Sequence, residues 1–95
     1  MKATGKTVFI SGSGRNIGRA IAIRLARNGF DVVLNGSQDR SACEQVAKEV
    51  EAAGRQALIA MGDVGDAEAV AAIRDTVLSS CARIDVVVDN AAVRR

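Results

Sequence analysis

The chain has no tyrosine and no histidine. It therefore lacks the side chains most often used to move a proton near neutral pH. Aromatic residues are nearly absent, with only two phenylalanines in 95 residues. Two phenylalanines offer little to stack on bases, and the net charge of +2 comes from interspersed signs with no basic stripe, so nucleic acid is not an expected partner. Cysteine is sparse as well. Cys43 and Cys81 fall in separate predicted helices, and no CxxC or Cys/His cluster supplies metal ligands. Reduced, partly buried thiols and a cytoplasmic location are expected. The first apolar run, Val8 to Ile10, is too short for a signal peptide or a membrane span, so no membrane partner is expected either.

What is present is aliphatic. Hydrophobic residues make up 48% of the chain, almost all of them Ala, Val, Ile and Leu. Short Val/Ile runs alternate with alanine-rich helical patterns, which favours an α/β layer fold. Strand one is expected at Thr7 to Ser11, an unbroken apolar run that suits burial on both faces. Helix one follows from about Ile17 to Arg27, with Gly29 as a left-handed cap. Its Ile17, Ile21 and Leu25 form an i, i+4, i+8 row, and Ala20 and Ala22 allow close approach to a sheet.

Strand two covers Asp31 to Asn35, and helix two runs from about Asp39 to Ala53. There Ser41 and Glu44 have capping-box spacing, Asp39 is an equally good N-cap, and Gly54 ends the helix. Cys43, Val46, Ala47 and Val50 make its buried stripe. Strand three is Gln56 to Ala60 or Met61. Helix three spans about Asp66 to Cys81 with Val70, Ile73 and Val77 inward, and strand four spans Ile84 to Asp89. This βα rhythm requires parallel strands with right-handed crossovers. The expected fold is one domain over residues 1–95: a partial Rossmann-type three-layer α/β/α parallel sheet of four strands in the order 3-2-1-4.

Directly after strand one comes Ser11-Gly12-Ser13-Gly14-Arg15-Asn16-Ile17-Gly18. A glycine-rich turn between a buried strand and a helix bares main-chain N–H groups at the positive end of the helix dipole, where a phosphate is favoured. Gly12 lets the chain leave the strand sharply. Gly14 and the Asn16 backbone can approach a ligand, and Gly18 allows tight packing. The expected contacts are Gly12, Ser13, Gly14, Arg15, Asn16, Ile17 and Gly18. The spacing is neither GxGxxG nor a P-loop. It is Gly-x-x-x-Gly-x-Gly with Asn16 at the middle position, a mild change because Asn tolerates positive φ.

With that turn, Asp63-Val64 after strand three and the segment Ile84-Asp85-Val86-Val87-Val88-Asp89-Asn90-Ala91-Ala92, the chain resembles the N-terminal part of a short-chain dehydrogenase/reductase. It is most similar to the 3-oxoacyl-carrier-protein reductases. The resemblance covers essentially the whole chain. It implies an oxidoreductase that reduces a carbonyl, or oxidises an alcohol, by hydride transfer with a dinucleotide cofactor. It further implies that Asp63 hydrogen-bonds the adenine amino group and that Val64 packs on the adenine. The alternative for Asp63 is that it shapes a turn. Asn90 would brace the sheet through backbone contacts, and Ala91 would lie near the nicotinamide ribose. Two departures stand out. Asp89 replaces the first Asn of the family's Asn-Asn-Ala-Gly, adding negative charge near the crevice, and Ala92 replaces its Gly.

An acidic residue at the end of strand two would reject a 2′-phosphate. Asp31 stands at the wrong end of that strand. The C-terminal end carries the neutral Asn35-Gly36-Ser37, with Asn35 and Ser37 as expected contacts, and Arg15 and Arg40 are cations within reach. A guanidinium matches phosphate geometry, so NADP is expected over NAD.

In the family a Ser, a Tyr and a Lys further along perform the reduction, so no catalytic residue is assigned here. The chain is expected to be the truncated N-terminal part of a longer reductase. Such a longer form would carry the small-molecule carbonyl or alcohol substrate site and is expected to be a homo-oligomer. The alternative is a non-catalytic nucleotide-binding or interaction module, or a turn serving another adenosine ligand such as S-adenosylmethionine.

Overall fold

The computed structural model describes residues 6–14, 16–80 and 84–90, with Asn16 described by its backbone alone. Seven elements alternate: β1 (Thr7–Ile10), α1 (Asn16–Arg27), β2 (Asp31–Leu34), α2 (Arg40–Ala52), β3 (Ala57–Ile59), α3 (Ala67–Ser80) and β4 (Val86–Val88). The strands form one parallel sheet in the order β3-β2-β1-β4, as the alternation predicts. Val8 pairs with Val32 on one side and with Val86 on the other.

Strand alternation divides the core into two layers. Val8, Ile10, Val32 and Leu34 point to one face, where Ala22 and Ala26 of α1 and Cys43, Val46 and Val50 of α2 cover them. Val33 and Ala60, with Phe9 and Leu58, face the other way and meet Ile73 and Val77 of α3. Helices on both faces make the three-layer architecture.

The helix ends follow from local chemistry. Asp39 is the N-cap of α2, its Oδ1 accepting from the Ala42 N–H at 3.0 Å. Ser41 donates to the same carboxylate, and Glu44 pairs with Arg40 at 3.5 Å, so no capping box forms. Both α1 and α2 end in a left-handed glycine, Gly29 (φ 93°) and Gly54 (φ 85°). The following N–H groups close back: Phe30 donates to the Leu25 carbonyl and Arg55 to the Val50 carbonyl. These are Schellman motifs, which satisfy carbonyls the helix leaves open.

At the N-terminal edge of the sheet two carboxylates act as braces. Asp31 is fully buried, and its Oδ1 accepts from the Arg55 Nε (3.1 Å), the Arg55 Nη2 (2.9 Å) and the Gln56 N–H (3.0 Å). Asp85 Oδ2 accepts from the Thr7 N–H at 2.8 Å. Asp31 therefore anchors β2 to the start of β3, far from the glycine turn.

Three packing expectations need correction. Ile17 is 67% exposed and is not part of a buried row, although Ile21 and Leu25 do pack on the core. Ala20 is exposed too. The stripe of α1 against the sheet is Gly18, Ala22 and Ala26, because only small side chains let the helix sit this close. Val70 is 43% exposed, leaving Ile73 and Val77 as the buried residues of α3. Cys81 lies outside the described residues. At the other edge, β4 pairs only with β1 among the described residues, and Val86 and Val87 are exposed.

Candidate nucleotide site

The turn between β1 and α1 crosses the C-terminal edge of the sheet, where the loops after all four strands converge. Gly12 has φ 63°, a conformation that costs a residue with a Cβ. Asn16 is the first residue of α1, so the left-handed position of the turn belongs to Gly12 and not to Asn16. The Ile17 and Gly18 N–H groups lie in the first helical turn, where no preceding helical carbonyl exists to accept them.

Gly18 meets the turn at backbone distance. A Cβ there would fall onto the Gly12 carbonyl and 2.7 Å from Asn90 Nδ2. Gly14 is tight on its other side, where a Cβ would stand 3.1 Å from the Ala42 Cβ of α2. The turn is thus clamped between α1, the end of β4 and α2, with glycine at each pinch.

Polar side chains fix it further. Ser11 is buried; its N–H donates to the Val88 carbonyl (3.0 Å), its hydroxyl donates to Asp89 Oδ1 (3.0 Å), and Oγ accepts from the Asn90 N–H (2.8 Å). Asn90 Nδ2 donates to the Gly12 carbonyl at 3.3 Å. Asn90 therefore ties β4 to the turn by backbone and side chain together. Asp89 takes a hydrogen bond from Ser11, so its charge is held at the turn's base. Sequence reasoning passed over Ser11. Its signal was a hydroxyl at the end of a buried strand, opposite the polar end of another.

Ser13 and Asn35 are both buried. Ser13 N–H donates to the Asn35 carbonyl at 2.9 Å, and the Asn35 N–H donates to Ser13 Oγ at 2.8 Å. The Asn35 amide donates to the carbonyls of Ala60 (2.9 Å) and Gly62 (3.0 Å). These side chains work inside the protein, beneath the crevice. Ser37 is exposed. Asp63 is exposed, and its Oδ1 accepts from the Gly65 N–H at 2.8 Å, so it shapes a turn while leaving the carboxylate accessible. Val64 packs against the α3-side core. Arg15 and Ala91 lie outside the described residues. Arg40 is exposed and engages Glu44.

Cys43 sits directly under this corner. A Cβ at Gly36 would stand 3.0 Å from its Sγ, and one at Gly14 would stand 3.4 Å away. Burial pushes the thiol pKa up, the Asp39 charge adds to the rise, and Arg40 opposes it. The neutral thiol is favoured in the folded state, so its stabilisation is full below the unfolded thiol pKa and is lost as pH rises through the folded value. Cys43 is expected to resist iodoacetamide at pH 7.5 in the folded protein and to react on unfolding. Denaturation midpoints are expected to fall as pH climbs past about 8.5, and a Cys43→Ala variant should not show that fall.

The short chain dehydrogenase family profile matches residues 6–95. The chain belongs to the short-chain dehydrogenase family. Over 89 residues it is 37% identical to versicolorin reductase stcU of Emericella nidulans, covering 94% of this chain and 34% of that one. It is 36% identical over 95 residues to the 3-oxoacyl-[acyl-carrier-protein] reductase FabG of Staphylococcus aureus, covering 100% of this chain and 38% of that one. The resemblance read from the motifs to the 3-oxoacyl-carrier-protein reductases is therefore borne out.

Among solved structures, L-sorbose reductase from Gluconobacter frateurii, complexed with NADPH and L-sorbose, superposes with a TM-score of 0.87 at 34% identity, over 94% of this chain and 34% of that one. Carveol dehydrogenase from Mycobacterium avium, in complex with NAD, gives 0.83 at 32%, over 94% and 36%. The chain thus spans little more than a third of the length of these family members. The family is one of oxidoreductases that bind NAD(P). No helix among the described residues is long and apolar enough to cross a membrane.

Proposed function

We propose that this chain is the NADP(H)-binding part of a short-chain reductase that reduces a carbonyl, or oxidises an alcohol, by hydride transfer. The observation that carries the proposal is the turn itself: a left-handed Gly12 followed by a helix start pinched so closely that Gly18 has no room for a Cβ. Such a cradle fits a diphosphate, which needs main-chain donors without intervening side chains. Gly12, Gly14 and the N–H groups of Ile17 and Gly18 would hold the diphosphate. Asp63 and Val64 would receive the adenine, Ala91 would lie near the nicotinamide ribose, and Asn90 would brace the turn from the end of β4. When bound, the cofactor supplies the hydride.

The preference for NADP rests on this chain's own residues, because the solved relatives include complexes with NADPH and with NAD. The end of β2 is neutral over Asn35-Gly36-Ser37. The first carboxylate beyond it, Asp39, is engaged in capping α2. Arg15 supplies the cation for a 2′-phosphate. Arg15→Ala is expected to weaken NADPH about tenfold and NADH less than about twofold, by loss of one charge-assisted contact. Equal losses in calorimetric titrations would overturn the assignment.

The proton that accompanies the hydride must come from a group these 95 residues, without tyrosine, do not supply in the family's usual way. We place the catalytic Ser, Tyr and Lys, the substrate site and any homo-oligomer interface in a longer, cytoplasmic form. The same lack of tyrosine favours the second reading, a nucleotide-binding module without catalysis. Extending the reading frame past Arg95 separates the two: a Tyr-x-x-x-Lys segment supports the reductase, and its absence supports the module.

A further inference from the structure

Three loops meet above the C-terminal edge of the sheet, and one buried residue, Asn35, joins them, by its backbone on one side and its side chain on the other. The ladder between β1 and β2 ends at Ile10 and Leu34, and that between β2 and β3 at Leu34 and Ile59. Beyond these pairs the strands diverge toward the glycine turn, the Gly36 loop and the Gly62–Val64 segment. Asn35 spans the divergence. Its backbone is clasped by Ser13, whose N–H and hydroxyl both reach the Asn35 carbonyl, at 2.9 and 3.2 Å, while Ser13 Oγ accepts the Asn35 N–H at 2.8 Å. Its amide nitrogen donates to the carbonyls of Ala60 and Gly62 at 2.9 and 3.0 Å.

We infer that Asn35 is a positioning residue, fixing the glycine turn and the Gly62–Val64 segment relative to each other as the two sides of the nucleotide site. The inference rests on the NADP(H) reading of that site. The chemistry selects asparagine. Two carbonyl oxygens face one position, so the side chain must present two donors from a single atom, and a primary amide does so without charge. A carboxylate of the same shape would turn both contacts repulsive, and alanine would leave one buried and one part-buried carbonyl without this donor. Ser13 completes the device because a hydroxyl both donates and accepts. These two residues sit too deep to be read as direct ligand contacts, and their influence passes through the backbone they hold.

The test uses NADP+ as probe on the 95-residue chain, with folding checked by circular dichroism. Asn35→Ala is expected to weaken NADP+ binding about tenfold and Ser13→Ala about threefold, as buried hydrogen bonds are lost. Asn35→Asp is expected to bind worse than Asn35→Ala near pH 8 and to recover as pH falls, because the protonated carboxyl regains one donor. An Asn35→Ala affinity within twofold of wild type, or Asn35→Asp and Asn35→Ala pH profiles that coincide, would overturn the inference.

Amide exchange without ligand keeps this separate from the site reading. In Asn35→Ala residues 62–64, and in Ser13→Ala residues 12–14, are expected to exchange about tenfold faster, with α3 unchanged. If wild type takes up no NADP+, the site reading fails, and the exchange result alone decides the role of Asn35: faster exchange at 62–64 in Asn35→Ala supports it, and unchanged exchange there overturns it.

Discussion

Gly18→Ala is expected to cost more than about 3 kcal/mol and to abolish dinucleotide binding, although alanine is the better helix former. Propensity alone favours the substitution by about 1 kcal/mol. The new methyl would land on the Gly12 carbonyl and beside Asn90 Nδ2, and the carbonyl cannot swing away as a flexible side chain would. Either α1 lifts from the sheet, uncovering Val8 and Ile10, or the turn opens and releases its bond from Asn90. Urea denaturation of the variant measures the first term, and NADP+ titration of whatever remains folded measures the second. A variant as stable as wild type would mean that the helix does not approach the turn this closely. Ala22→Gly, one turn along the same stripe, is the control and should cost only about 1 kcal/mol plus one lost methyl.

The second large effect is at the opposite edge. Arg55→Ala is expected to destabilise by about 3 kcal/mol or more, lowering the melting temperature by roughly 12 °C or more for a chain of this size. Asp31 is fully buried while the Arg55 side chain keeps 22% exposure, so the pair is asymmetric. Removing the arginine takes both guanidinium contacts from a buried carboxylate that also accepts the Gln56 N–H. Removing the charge from the other end is milder. Asp31→Asn keeps an acceptor for Gln56, and Arg55 can turn to water, so its cost is expected near 1–2 kcal/mol. Thermal melts of the two variants side by side check this order, and a reversed order would contradict the burial of Asp31.

Much of the architecture was legible because the periods are clean. Val32-Val33-Leu34 is apolar on both faces and could only be a buried strand. Gly29 and Gly54 stopped their helices where predicted, since a left-handed cap needs glycine at that step. Strand order followed from the connections. Side-chain direction was harder. The Ile17-Ile21-Leu25 row attracts attention because large residues dominate any hydropathy pattern, yet Ile17 is exposed, Ile21 and Leu25 are only partly buried, and Ala22 and Ala26 are the fully buried side chains of the helix. Proximity between helix and sheet decides which stripe is buried, and size does not report it.

The turn could be placed from glycine spacing, but the division of labour inside it could not. Ser13 and Asn35 read as polar groups near a ligand, and nothing in one dimension shows that Ser13 would engage the Asn35 backbone and the Asn35 amide the carbonyls of Ala60 and Gly62. Asp63 carried two readings in sequence, and the turn it forms with Gly65 leaves its carboxylate exposed. The choice of N-cap on α2 was likewise open until Asp39 was seen to hold both Ala42 and Ser41.

Strand β4 carries an aspartate immediately before and immediately after its valines, at Asp85 and Asp89, two residues either side of Val87. Were a twin molecule to add its own β4 in antiparallel fashion about Val87, each Asp85 would confront the Asp89 of the twin. Two like charges would meet at both ends of a three-residue seam, a penalty of the kind that keeps bare sheet margins from zipping together. The margin is thus gated by sign: it repels its mirror partner while remaining hospitable to a strand whose flanks are neutral or cationic.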